Sequence, residues 1–409
     1  MNYEKLRMTA DKSEGDFVRT LQGQTGTGFQ EGTHVHKDWY QKTVSFDEGM
    51  QALQADVDER EDILDRRDSM QPAVNADGKF CFRYQDGREF FPTPHALNQL
   101  GVSCNASTFF IRSMIENPTN HKGDVMFERD VQDASTLAGV LRNALRRIQP
   151  DKKFRWRTYK DGTMRAWLTE TYAPVDNRWY MEALKDVLPK GRLSHWRGDA
   201  DTIYGNILIP DSVIDYGQDD DSDYGAMVSI GNCEIGKRRI SQMPSLFRSI
   251  CMNGCIWGQV SGKKISRVHR GKIDLGELRV QIQDNIEAQL NLIPAGMERF
   301  MASRDLEIAG SLKNVIATVC KDSKLGKKES SEVLGQYLKH ESDHRNLFGV
   351  VNAVTRAGQV LDNESWVKFD NLGGKLLDTT PAKWENVLKR ASSWEDKDVN
   401  AVFTGKVAV

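Results

Sequence analysis

The chain lacks any apolar run approaching the roughly 20 residues that a helix needs to cross a bilayer. Its opening, MNYEKLRMTADKSEGDF, lacks the apolar centre of a secretory signal, so no membrane association is expected and the cytoplasm is the default compartment. Cysteine is scarce, with six in 409 residues, at positions 81, 104, 233, 251, 255 and 320. Their apolar or small neighbours predict reduced, buried thiols in place of a disulfide framework. Cys251 and Cys255 fit successive turns of one helix face, and with no second Cys/His pair close in sequence no zinc site is expected there. A net excess of charge is also missing: 56 Lys and Arg against 58 Asp and Glu give −2. No global field therefore draws the protein toward nucleic acid or anionic lipid. Gly23, Gly26 and Gly28 have neither a preceding apolar strand nor the Gly-Lys-Ser/Thr ending of a phosphate loop. There is no Gly-x-Ser-x-Gly elbow for a serine hydrolase, and no internal repeat.

What the chain does have is segregated charge. The 36 residues from Lys237 to Lys272 hold nine Lys or Arg and no Asp or Glu. Residues 211–223 hold six aspartates and no base, while 56–68 mixes seven acids with Arg60, Arg66 and Arg67.

Residues 1 to about 50 show neither helical nor strand period and read as a loosely structured arm, followed by a solvated surface helix through FDEGMQALQADVDEREDILDRRD. KFCFRYQDGREFFPT reads as a β-hairpin about a Gln-Asp-Gly turn, and FRWRTY-KDGT-MRAWLTETY as a second one about Asp-Gly. Helices are expected over 94–100, 106–115, 135–147 and 178–187, and strands over 193–196, 202–209 and 226–230. Pro244 suits the first turn of a helix running through Leu246, Phe247, Ile250 and Cys251, with Asn253-Gly254 at its end. Long helical patterns follow over 276–302, 305–320, 328–357 and 381–391. The expected fold is α+β: a meandering antiparallel sheet with packed helices over 76–275, preceded by the arm and surface helix over 1–75 and followed by an α-helical region over 276–409.

The phrases GREFFPTPHALNQLGV, MRAWLTETYAPVDNRWYMEAL, IGNCEIGKRRI, LFRSICMNGCIWG, HRGKI and NLFGVVNAVT occur here in order. Together they resemble the phage- and plasmid-borne family known as domain of unknown function 932, well over residues 85–275 and loosely over 345–376. The most specific part is the R-A-x-L-T-x-x-Y-x-P-x-D-N pattern of Arg165, Ala166, Leu168, Thr169, Tyr172, Pro174, Asp176 and Asn177. Thr169 stands where the family usually has Ser, and Cys233 where Ser more often precedes Glu234. The first 50 residues carry no part of the resemblance. It implies a mobile-element protein working inside a bacterial cell, with no established reaction. Some members are similar in element order to the single-strand annealing proteins of recombination, a fold-level analogy that implies self-association into rings or filaments.

Three chemistries compete for these residues. His340-Glu341-Ser342-Asp343-His344 matches H-E-x-x-H, which in a metal-dependent hydrolase sets two histidines one helical turn apart with a glutamate to activate water. Here the turn is polar and no third ligand follows, so neither a metal nor a catalytic residue is assigned. The aspartates at 219–223 are the place to look for Mg²⁺, and consecutive Asp beside Gly and Ser read better as an exposed loop. Single-stranded nucleic acid needs cations along the phosphates and rings for the bases. Arg155, Arg157, Lys160 and Arg165 on the second hairpin, and Lys237, Arg238, Arg239, Arg248, Lys263, Lys264, Arg267 and Arg270 in the acid-free segment, supply the cations. Trp156, Tyr159 and Trp167 supply the rings. The expectation is a nonenzymatic, cofactor-free protein that binds single strands; the hydrolase, and a host-takeover factor whose basic face meets an acidic protein, are the alternatives.

Overall fold

A computed structural model describes residues 43–115, 117, 125–126, 130–198, 203–212, 214–215, 223–237, 239–248, 253–256, 266–267, 271, 273–361 and 363–403. The architecture is α+β, as expected, with two sheets in place of one meander. The first contains β1 (Val44–Ser45), β8 (Arg192–Gly198), β9 (Ile203–Leu208), β11 (Asp223–Asn232), β12 (Ile240–Arg248) and β13 (Asn253–Ile256), neighbours in that order. Two short strands extend it: β10 (Ile214–Asp215) on β11 and β14 (Ser266–Arg267) on β12. The second sheet contains β2 (Arg60–Arg66), β3 (Met70–Val74), β4 (Phe80–Tyr84), β5 (Glu89–Pro92), β6 (Lys153–Tyr159) and β7 (Thr163–Thr169). Its spatial order is β2-β6-β7-β5-β4-β3, antiparallel except where β5 meets β7.

Each sheet buries one face under its own helices. The first packs Leu193, Ile207, Val228 and Ile230 against α1 (Phe46–Glu59), α5 (Asn177–Val187) and α6 (Leu275–Leu290). A capping box between Ser45 and Glu48 starts α1 immediately after β1. The second packs Phe82, Phe154, Trp156 and Trp167 against α2 (Pro94–Cys104) and α4 (Val131–Arg146), with α3 (Thr108–Ser113) folded back beside α2. The C-terminal region is helical from about residue 275 onward. Beyond α6 it contains α7 (Ile293–Ala302), α8 (Leu312–Asp322), α9 (Lys327–His340), α10 (Leu347–Val360), α11 (Asn363–Leu377), α12 (Pro381–Ser392) and α13 (Asp396–Val402). Its core includes Tyr224 and Leu246, so it packs onto one end of the first sheet. Among the described residues no helix is long and apolar enough to cross a membrane.

Several expectations are revised. The surface helix stops at Glu59, and REDILDR continues as β2 because its backbone pairs with β6 along its whole length, an interaction that overrides local helical pattern. Among the described residues strand pairing therefore begins at Val44, inside the segment read as an arm and surface helix. Pro244 lies in strand β12 instead of opening a helix, and Asn253-Gly254 begins β13. The edge of β12 away from β11 is paired at 240–241 by β14 and at 245–248 by β13, so Pro244 sits in the gap between them, where a missing N–H costs least.

Candidate nucleic-acid interface

The second predicted hairpin forms, with a fault in its alternation that decides the fate of its arginines. Trp156 lies opposite Trp167 and Arg157 opposite Ala166, but Thr158 lies opposite Met164, leaving Arg165 as the extra residue of a β-bulge. Such a bulge re-aims a side chain. Directly paired residues share a face, so Trp156 and Trp167 point together into the α2/α4 core, ring centroids 5.4 Å apart. Arg165 turns to the other face, beside Tyr159, whose hydroxyl its Nη1 reaches. The three stacking candidates Trp156, Tyr159 and Trp167 are only 0%, 4% and 2% exposed, which makes them core residues.

On that other face the arginines meet acids. Arg157 donates from Nε and Nη2 to the two carboxylate oxygens of Asp62, each at 2.8 Å. It also approaches Asp176 at 3.3 Å and Glu234 at 3.4 Å. Arg60 spans the same two acids, 2.9 Å from Asp176 and 3.1 Å from Glu234. Arg165 is 3.9 Å from Glu234, and Arg155 is 3.7 Å from Asp62. Arg157, Arg165 and Glu234 are all buried. An arginine can be fully buried only with this kind of pairing, and the reading of Arg157 and Arg165 as phosphate contacts is corrected accordingly. Arg155 is half-buried within the same group.

The phrases that carried the family resemblance converge here. Asn177 donates its backbone N–H to Glu234 at 2.7 Å, and Asn232 Nδ2 donates to Asn177 Oδ1 and to the Val175 carbonyl, each at 2.9 Å. The Tyr172 hydroxyl donates to the Cys233 carbonyl at 3.2 Å. None of Asn232, Glu234 and Asp62 stands among the site residues expected from the sequence. The available signal was the pairing of an acid with an amide in two of the resemblance phrases, Asp176 next to Asn177 and Glu234 two residues after Asn232. The arrangement ties the end of β11 to the second sheet, and every carboxylate in it is already engaged by guanidinium groups.

Burial raises the pKa of both Asp62 and Glu234, but the arginines outweigh it and hold both carboxyls below their ordinary values. For Asp62 the hydrogen bonds and charge of Arg157 dominate, and for Glu234 the charges of Arg157, Arg60 and Arg165. Asp176 is raised, because its burial prevails over its arginine partners and the charges of Glu234 and Asp62 add to it. A depressed carboxyl contributes stability that is present above its unfolded pKa and is lost as pH falls through its folded one. Asp176 opposes this in part, since acid relieves its burial. His340 adds an earlier loss: burial, with Arg356 and Lys339 nearby, lowers it from 6.5 to about 4, so the unfolded chain takes up a proton first as pH falls between those values. Thermal melts from neutral pH to pH ~3 are expected to show stability falling from about pH 6.5, more steeply below the ordinary carboxylate range near 4. In Glu234→Gln the steep acid limb is expected to shrink; an unchanged limb would contradict the assignment.

Arg248 is also buried, 3% exposed, with Nη1 3.0 and 3.1 Å from the two oxygens of Glu341. Its guanidinium lies 4.9 Å from the Phe348 ring centroid, and that of Arg304 lies 4.3 Å from the same centroid. This corrects Arg248 as a nucleic-acid contact. It also answers the H-E-x-x-H pattern. Helix α9 ends at His340, Glu341 is its C-cap, and His344 lies beyond in a turn, so the two histidines do not share a helix face. Among the described residues no group of three or more His, Cys, Asp or Glu is arranged to hold a metal ion.

The remaining cations divide in two. Lys160 is exposed, 4.0 Å from Glu59, on the second sheet. Lys237 and Arg239 are exposed at the entrance to β12, and β14 brings Arg267 opposite Ile240, the residue after Arg239. The chain then returns to the hairpin end, where Gly271 donates its N–H to the Thr171 carbonyl at 2.8 Å. Thus both ends of the acid-free segment meet at one corner of the first sheet. Arg238, Lys263, Lys264 and Arg270, and the aspartates at 219–221, lie outside the described residues, as do the side chains of Arg267, Cys251 and Cys255; Asp223, read as part of the loop, begins β11 opposite Asp215. No family model, curated protein or solved structure matches this chain.

Proposed function

We propose that this chain binds single-stranded nucleic acid through the corner of the first sheet at Lys237, Arg239 and Arg267, and promotes strand annealing for a phage or plasmid inside a bacterial host cell. The observation that carries the reading is the convergence of the two ends of the acid-free segment, residues 237–239 and 266–267, on the same end of β12. A concentration of cations without acids attracts a polyanion, whose condensed counterions are released on binding. The buried arginines stay out of this contact; their role is to build the junction that presents it. Annealing brings two strands together, so the reading includes self-association of the protein, visible as a multiple of the chain mass by light scattering.

The test is fluorescence anisotropy with labelled single-stranded and duplex DNA over a salt series. Each phosphate contact to a single strand contributes about 0.7 to the slope of log K against log salt. Lys237→Glu with Arg239→Glu is expected to lower that slope by about 1.4 and to weaken binding at every salt concentration. Lys263→Glu with Lys264→Glu is expected to act in the same direction. Unchanged affinity in both double variants would overturn the reading.

A further inference from the structure

The two longest stretches of the sequence without Asp or Glu are residues 235–273 and 90–115. They are far apart in the chain, and the fold brings them into contact at one carbonyl. The Ile235 oxygen lies 3.0 Å from His95 Nε2 and accepts a 2.6 Å hydrogen bond from Gln99 Nε2, both on α2. Gly236, with φ of +85°, then turns the chain into the exposed Lys237. His95, Gln99 and Val102 follow the i, i+4, i+7 spacing of a single helix stripe, and Val102, next along it, is 79% exposed.

Beyond Val102 the chain reverses. Asn105, in the left-handed region at φ of 51°, ends α2, and the Ala106 N–H returns to the Gly101 carbonyl at 2.8 Å. Gly101 permits the reversal, because a Cβ there would lie 2.7 Å from Thr108 Cγ2. The short helix α3 is anchored by Ile111, buried at 1%, and leaves Phe109 at 82% and Phe110 at 43% exposure. A phenylalanine ring this open contributes nothing to a core; with Val102 and Phe110 it puts three exposed apolar side chains on the two helices that flank one tight turn, a concentration of the type that marks a contact surface.

We propose that the α2–α3 turn is the base-stacking platform of the nucleic-acid site, with Phe109 as its principal ring. A single strand would lay its phosphates on Lys237 and Arg239 and pass its bases over the α2 stripe to Phe109 and Phe110. Charge complementarity selects this occupant. The acid-free helix turn adjoins the acid-free basic corner, so no carboxylate from either stretch repels a phosphate, and an aromatic ring accepts any base by stacking. The inference rests on the nucleic-acid reading above. It replaces the buried Trp156, Tyr159 and Trp167 with rings that solvent reaches.

The experiment uses the full chain and a fluorescein-labelled oligothymidylate. Phe109→Ala is expected to weaken binding about 5-fold or more with the salt slope unchanged, since stacking carries no counterions. Phe109→Trp is expected to restore affinity, and circular dichroism should report an unaltered fold for a side chain this exposed. If Phe109→Ala and Phe110→Ala both bind as the wild type while the Lys237→Glu, Arg239→Glu variant weakens, the platform is overturned and the nucleic-acid reading survives. If neither set weakens binding, both fall. If Phe109→Ala lowers the assembled mass by light scattering and leaves affinity intact, the patch joins copies of the chain and the platform is likewise overturned.

Discussion

Arg157→Ala is expected to lower folding stability by about 3–5 kcal/mol, the cost of removing one member of a buried ion pair. The residue satisfies Asp62 through two hydrogen bonds and faces Asp176 and Glu234. Its loss leaves Asp62 without its two hydrogen bonds and the buried Glu234 carboxylate short of one cation. Lys160→Ala, one residue past the same strand and 67% exposed at its side chain, is the matched control and is expected to stay within about 0.5 kcal/mol. Urea unfolding of the two variants separates a structural arginine from a phosphate contact. A surface contact at position 157 would give the opposite pattern, with near-normal stability and weakened DNA binding.

Arg248→Ala should be comparably severe, about 3–5 kcal/mol, because it strands the buried Glu341 carboxylate. The damage is expected at a defined place, where the helical region meets the first sheet. Arg248 extends from β12, Glu341 caps α9, and Phe348 of α10 lies under both Arg248 and Arg304. Hydrogen exchange should therefore show α9 and α10 losing protection before β6 and β7. The double replacement Arg248→Met with Glu341→Leu is expected to recover much of the loss, since well-packed apolar pairs often equal or exceed buried ion pairs. A double variant as unstable as Arg248→Ala would indicate that the site cannot repack.

The local structure was legible where short-range chemistry decides it. The Asp-Gly turn placed β6 and β7, the Gln-Asp-Gly turn placed β4 and β5, and the apolar period placed α4, α5 and α12. Elements decided by partners distant in sequence were not. REDILDR became a strand because β6 lies beside it, and the expected helix over 276–302 breaks at Asn291–Leu292, just before Pro294. The hairpin arginines were misplaced for a physical reason. Charge was read as exposure, and alternating Arg155 and Arg157 look like a binding face until Asp62, 95 residues away, and Glu234, 77 residues away, are placed against Arg157. A one-residue bulge then moved Arg165 across the strand, which no alternation rule anticipates. The corner at Lys237 and Arg239 was read as basic surface from its run of three consecutive cations, and both side chains are exposed.

The strand order also fixes a schedule for synthesis. All six strands of the second sheet lie between Arg60 and Thr169, so that sheet can close while the rest of the chain is still being made. The first sheet must wait, because β1 at Val44 pairs with β8 at Leu193. Closures over such sequence separations come late. Glu234 arrives later still, and of the three acids of the junction only Asp62 and Asp176 precede it in the chain. A growing chain thus carries four arginines against two of the three acids of the junction, an excess of two positive charges that its final acid halves.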